Sequence, residues 1–60
     1  SCVCLILVHN HPSGDPMPSR PDIRLTERLA QVGGLMDIPL ADHIIIGDGI
    51  YYSFKDADQL

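Results

Sequence analysis

The sequence has no hydrophobic run long enough to cross a bilayer: its longest, Cys2 to Val8, is far short of the roughly twenty residues a spanning helix needs. No basic segment precedes that run, as a secretory signal would require, so the chain reads as a cytoplasmic protein. Basic residues are scarce as well. Arg20, Arg24, Arg28 and Lys55 face eight acids, for a formal charge of −4, whereas a phosphate backbone calls for the opposite balance. Neither a membrane nor a nucleic acid is the expected partner on these grounds. Cysteine is limited to Cys2 and Cys4, two apart on an extended run, where a mutual disulfide has poor geometry. They read as core thiols of a reducing compartment. Metal ligation by Cys4 with His9 would have to span about 16 Å of extended chain and join opposite faces of a strand. Length is the last shortage: 60 residues, in which a single core supplies only about 3–5 kcal/mol. With no initiator methionine and a start inside an apolar run, residues 1–60 are expected to be part of a larger domain.

What is present is well punctuated. Residues 2–8 are nearly all apolar, which predicts a strand covered on both faces, as in a mixed or parallel sheet packed by helices. The stretch NHPSGDP should end it, since Pro12, Gly14 and Pro16 favour a loop. Ser19 followed three residues later by Asp22, with Pro21 in the first turn, predicts a helix from about Arg20 to Met36. On its wheel Arg24, Glu27, Arg28 and Gln31 form a solvent side, while Leu25, Leu29, Val32, Gly33 and Met36 occupy the opposite arc. Asp22 falls near the centre of that inward arc, about 160° from Arg24. A buried carboxylate needs a cation, a set of donors or the helix N-terminus beside it. Asp37 and Pro39 close the helix, Asp37 where a left-handed residue is common. LADHIII and IYYSF then read as two strands joined through Asp48-Gly49, and Ser53 with Asp56 starts a further helix.

The chemistry concentrates in VHNHPSGDPMPSRPD, Val8 to Asp22. If the strand persists that far, His9 and His11 project to one face, where two imidazoles can hold one ion. A pair of surface histidines in a turn is the plain alternative, and the inward Asp22 is what shifts the balance. Two imidazoles and a carboxylate make a three-ligand set with a fourth tetrahedral position open, as in a catalytic zinc site. Water bound there would have its pKa lowered to about 7 and become a usable hydroxide. Ser19 has two readings, helix N-cap and donor to an oxyanion.

The pattern H-x-H, seven residues, S, two residues, D is met by His9, His11, Ser19 and Asp22 without a gap. It resembles the JAMM motif of the JAB/MPN metalloprotease superfamily. The wording HNHPSGDPMPS followed by ADHIIIGDG is similar to the RadC-like branch, and the resemblance covers nearly all of the chain. It implies the C-terminal part of an α/β domain of cytidine-deaminase-like type, a mixed curved sheet flanked by helices, here as strand, loop, helix, strand, hairpin and strand. It further implies zinc held by His9, His11, Asp22 and a water, Ser19 steadying the tetrahedral intermediate, and hydrolysis of a peptide or isopeptide bond in a peptide or protein substrate. The alternative that the family's label carries is a DNA-repair-associated accessory or binding protein without protease activity. Active members use a glutamate upstream of the H-x-H as general base, and no such residue precedes His9 here, so the segment alone is expected to bind metal without being active.

The remaining residues have plainer readings. Glu27 belongs to the solvent side of the helix. His43 reads as a core or sheet-face histidine bonded to a neighbour, rather than a fourth ligand. Tyr51 and Tyr52 place one ring in and one out, and Asp15 bonds local backbone in its turn. The contiguous letters HNH do not match the nucleases of that name, whose three residues are dispersed over a ββα module.

Overall fold

The computed structural model describes residues 3–60. Cys2 therefore lies outside the described residues. The elements are β1 (Leu5–Asn10), α1 (Arg20–Leu35), β2 (Leu40–Ile46) and β3 (Tyr51–Ser53), in one mixed sheet of order β1-β2-β3. β1 runs parallel to β2 and β3 returns antiparallel to it. The α/β class and the order of elements are as expected. Among the described residues there is one flanking helix, and α1 is neither long nor apolar enough to cross a membrane.

β1 outlasts its expected end at Val8, because Ile44, Ile45 and Ile46 run beside Val8, His9 and Asn10 and pair their backbones. His11 still donates its N–H to the Ile46 carbonyl at 2.9 Å. Only at Pro12, which has no N–H to give, does the pairing stop. Among the described residues β1 is covered on one face. Leu7 and His9 lie opposite His43 and Ile45 on the face that carries α1, but Ile6 and Val8 point the other way and are 55% and 52% exposed. Among the described residues no helix covers that far side. Cys4 is likewise exposed rather than a core thiol, since it precedes the first paired residue, Leu5.

α1 turns a different stripe to the sheet than the apolar arc suggests. Thr26 and Gly33 are its buried residues, with Leu29 half-buried, whereas Leu25, Val32 and Met36 are exposed. Small residues let the helix and the following turn come close: a Cβ on Gly33 would stand 2.3 Å from the Ile38 carbonyl oxygen. Asp22, one turn before Thr26, faces inward as its angle on the wheel requires. The helix ends at Leu35, Met36 caps it, and Asp37 takes the expected positive φ of 59°.

The Gly47 N–H closes the β2–β3 turn on the Ile50 carbonyl at 2.8 Å. The helix expected from Ser53 amounts to turns only. Asp56 N–H does bond the Ser53 hydroxyl, but Asp58 at φ 60° breaks the progression. Among the described residues the largest fully buried side chains are His43, Ile45 and Phe54, so the centre of this small core is partly polar.

Asp42 ties the start of β2 to those turns. Its Oδ1 accepts from the His43 and Lys55 amides at 2.7 and 3.0 Å, and its Oδ2 from the Ser53 hydroxyl at 2.6 Å. Desolvation pushes its pKa up, but the bonds from Ser53, Lys55 and His43, with the Lys55 charge, outweigh it and the net shift is down. A lowered folded-state pKa contributes stability that is complete above the unfolded value of about 3.9 and is lost as pH falls through the folded one. Asp42→Asn should therefore cost about 1–2 kcal/mol at pH 7, with the deficit shrinking at pH 3, in urea denaturation at the two pH values.

Candidate metal centre

The end of β1 and the start of α1 meet at one point. Because side chains alternate along a strand, His9 and His11 both reach toward α1. Above them Ser19 is the N-cap, in extended backbone at φ −82°, ψ 169°, and forms a complete capping box with Asp22. The Asp22 N–H donates to the Ser19 hydroxyl oxygen at 3.2 Å, and the Ser19 N–H donates to Asp22 Oδ2 at 2.8 Å. This box aims the carboxylate down at the histidines and leaves its side chain 13% exposed.

His9 Nε2 lies 3.2 Å from Asp22 Oδ1, His11 Nε2 3.0 Å from Asp22 Oδ2, and the two Nε2 atoms 3.2 Å from each other. The far ring nitrogens explain the orientation. His11 Nδ1 is 2.9 Å from the Asp15 carbonyl oxygen, which can only accept, so the hydrogen of a neutral His11 sits on Nδ1 and its Nε2 is a bare lone pair. His9 Nδ1 is 3.0 Å from His43 Nε2, which turns the opposite nitrogen into the cluster. Burial, first, and the neighbouring His9 push the His43 pKa down against the pull of Asp22 and Asp42, and the ring is neutral. For Asp22, desolvation raises the pKa, but the Ser19 amide and hydroxyl, then His9 and His11, outweigh it, so the carboxylate is ionised.

Lone pairs and an anion crowded at hydrogen-bond distance are what a divalent cation accommodates. The ligand atoms of His9, His11 and Asp22 form a set that could hold one. Tetrahedral zinc at about 2.0–2.1 Å from its ligands needs them about 3.3 Å apart; the two Nε2 atoms are 3.2 Å apart, and each lies 3.0–3.2 Å from one of the two Asp22 carboxylate oxygens. Two imidazoles favour zinc and its transition-metal neighbours over magnesium or calcium.

All four residues singled out by spacing converge here, with Ser19 at the rim as the cap. Glu27 is exposed on the helix, Tyr51 is exposed and Tyr52 half-buried, and Asp15 Oδ1 accepts from the Met17 N–H at 3.0 Å. Three participants were not anticipated as such. The Asp15 carbonyl orients His11, His43 touches His9, and Thr26 is bonded to both Asp22 and His43. The reading of His43 as a core histidine bonded to a neighbour holds, with Thr26 and His9 as the neighbours, and Thr26 left a trace in the sequence as a polar residue one turn after Asp22 on the inward stripe.

Comparison with known proteins identifies the family. The family model described as RadC-like JAB domain matches residues 1–60. A UPF0758 protein of Alkaliphilus metalliredigens is 57% identical over 60 residues, covering 100% of this chain and 26% of that protein. A UPF0758 protein of Methanosarcina mazei is 61% identical over 56 residues, 93% of this chain and 24% of that protein. The one from Geotalea uraniireducens is 59% identical over 60 residues, 100% of this chain and 26% of that protein. The chain thus spans about a quarter of the length of the curated relatives it matches. With the match extending over every residue, the chain belongs to the RadC-like JAB domain family.

Proposed function

We propose that His9 Nε2, His11 Nε2 and the Asp22 carboxylate hold zinc, and that the protein is a zinc-dependent metallohydrolase of JAMM type cleaving a peptide or isopeptide bond in a protein or peptide substrate. The observation that carries this is the convergence of His9 Nε2, His11 Nε2 and the Asp22 carboxylate within 3.0–3.2 Å of one another, a ligand set that could hold one cation. Zinc, when bound, supplies Lewis acidity and lowers the pKa of water to about 7. The chain supplies the rest of the constellation that it contains. Ser19 spends a lone pair on the helix cap and keeps its hydroxyl hydrogen, which can be given to the oxygen of a carbonyl as negative charge develops there. Cap and donor are therefore compatible roles for one hydroxyl.

Glu27, the sole glutamate, is exposed on the helix, so a base for proton transfer has to come from elsewhere. We place it in a part of the domain beyond these 60 residues, in keeping with the quarter coverage of the relatives. A cytoplasmic setting belongs to the same reading and accords with the free thiol of Cys4. A DNA-binding accessory role has no observation in its favour, since the formal charge is −4.

Elemental analysis of the full-length protein is expected to give about one zinc per chain, with hydrolysis of peptide or isopeptide substrates. Ser19→Gly should lower kcat about 10²–10³-fold with zinc content unchanged, because glycine serves as an N-cap at a cost of only a few tenths of a kcal/mol. Zinc content near zero in the full-length protein overturns the reading.

A further inference from the structure

The side chain behind His9 determines which of its nitrogens is free, and that side chain is itself set from α1. The Thr26 hydroxyl donates its single hydrogen to the Asp22 carbonyl at 2.8 Å, because a carbonyl can only accept. Toward His43 Nδ1, 2.5 Å away, Thr26 Oγ1 therefore has only lone pairs to offer. The hydrogen of His43 is then on Nδ1. His43 is 0% exposed and stacks on Phe54 with ring centroids 4.7 Å apart and planes 6° from parallel, an environment that disfavours a second, charging proton. Its Nε2 is thus bare and accepts from His9 Nδ1–H at 3.0 Å. His9 has one hydrogen in its neutral form and has used it, so its Nε2 is a lone pair 3.2 Å from Asp22 Oδ1.

We propose that Thr26 and His43 are positioning residues that hold His9 in the one tautomer able to ligate a metal through Nε2, so that a hydroxyl on α1 tunes metal affinity without touching the metal. The inference rests on the proposed zinc site and adds a device behind it. His11 achieves the same result in one step, through the Asp15 carbonyl. His9 needs two because its far side faces the core, where His43 and not a backbone carbonyl is the neighbour.

The alternative arrangement is self-consistent, which gives the relay something to work against. If Thr26 cannot accept, His43 places its hydrogen on Nε2, His9 must accept at Nδ1, and the His9 hydrogen moves to Nε2. There it bonds the Asp22 carboxylate and blocks the ligating lone pair. Thr26→Val, close in shape but without the hydroxyl, removes the acceptor that holds the hydrogen on His43 Nδ1 and favours that arrangement, since a buried N–H without a partner is the costlier orphan.

The test uses the full-length protein labelled with ¹⁵N-histidine, read by NMR at pH 8 after removal of metal, together with zinc affinity by chelator competition. In the parent, His9 is expected in the Nδ1–H form. Thr26→Val should switch it to Nε2–H and weaken zinc binding 10–100-fold, the range typical for loss of an outer partner, and Thr26→Ser should restore both. A parent His9 in the Nε2–H form overturns the inference whether or not the valine variant folds. So does a valine variant that binds zinc as the parent does, or one that loses affinity with the His9 tautomer unchanged. Failure of the zinc site itself would appear separately, as a parent without zinc affinity.

Discussion

Asp22→Asn is expected to remove most of the thermal stabilisation that zinc gives the protein while leaving the metal-free fold about as stable as the parent. Asparagine keeps an oxygen for the Ser19 N–H, now 2.8 Å from Asp22 Oδ2, so the capping box and the entry into α1 persist. With that oxygen at the Oδ2 position its NH2 takes the Oδ1 position and can donate to His9 Nε2, 3.2 Å away, while the oxygen faces His11 Nε2 at 3.0 Å and can accept from it once the His11 hydrogen is on that nitrogen. The metal-free variant should thus match the parent within about 1 kcal/mol. The charge that binds the ion is gone, however, and the loss should exceed the 10–100-fold typical of an outer partner. A loss on the order of 10³-fold removes about 4 kcal/mol of ligand-linked stability at saturating zinc. Thermal unfolding with zinc and with chelator measures both halves. Asp22→Ala would confound them, because it also opens the capping box at a cost of about 0.5–2 kcal/mol. A zinc-induced rise in Tm that survives in the asparagine variant would remove Asp22 from the ligand set.

The uneven legibility of this site follows from which interactions are local. His9 and His11 share a face by strand period, Ser19 and Asp22 form a box by helix geometry, and the wheel angle of Asp22 points it inward whatever packs there. Asp37 and the Asp48-Gly49 turn are equally local and turned out as expected. The contact between His43 and His9 spans 34 positions and depends on the parallel register that sets Leu7 against His43 and His9 against Ile45, which no local pattern specifies. The apolar arc of α1 misled for the same reason. Hydrophobicity marks Leu25, Val32 and Met36 as candidates for burial, but the close approach allowed by Thr26 and Gly33 decides which flank meets the sheet. At the far end, the capping signal of Ser53 and Asp56 was real, and Asp58 stopped what it started.

Gly47→Ala should damage the metal site from a position that the sequence marks only as part of a turn. A Cβ on Gly47 would stand 2.3 Å from the Gly14 carbonyl oxygen and 2.9 Å from Pro16 Cδ, so the loop must retreat by about 1 Å to reach ordinary contact. That loop is seated on the β2–β3 turn by the Asp48 N–H, which donates to the Gly14 carbonyl at 2.8 Å. It also carries the Asp15 carbonyl that holds His11 Nδ1 at 2.9 Å. A displacement of that size takes the carbonyl out of hydrogen-bond range and frees His11 to rotate or change tautomer. The expected result is a stability loss of about 1–3 kcal/mol together with a 10–100-fold weaker affinity for zinc. Gly49→Ala separates the two effects. No atom lies within 4 Å of a Cβ there, but φ is +71°, so alanine costs about 1 kcal/mol through backbone strain without pushing on the loop. It should therefore lose stability and keep its zinc affinity. If Gly47→Ala behaves like Gly49→Ala, unstable but with parental affinity, the loop does not position His11, and the turn between β2 and β3 is only a turn.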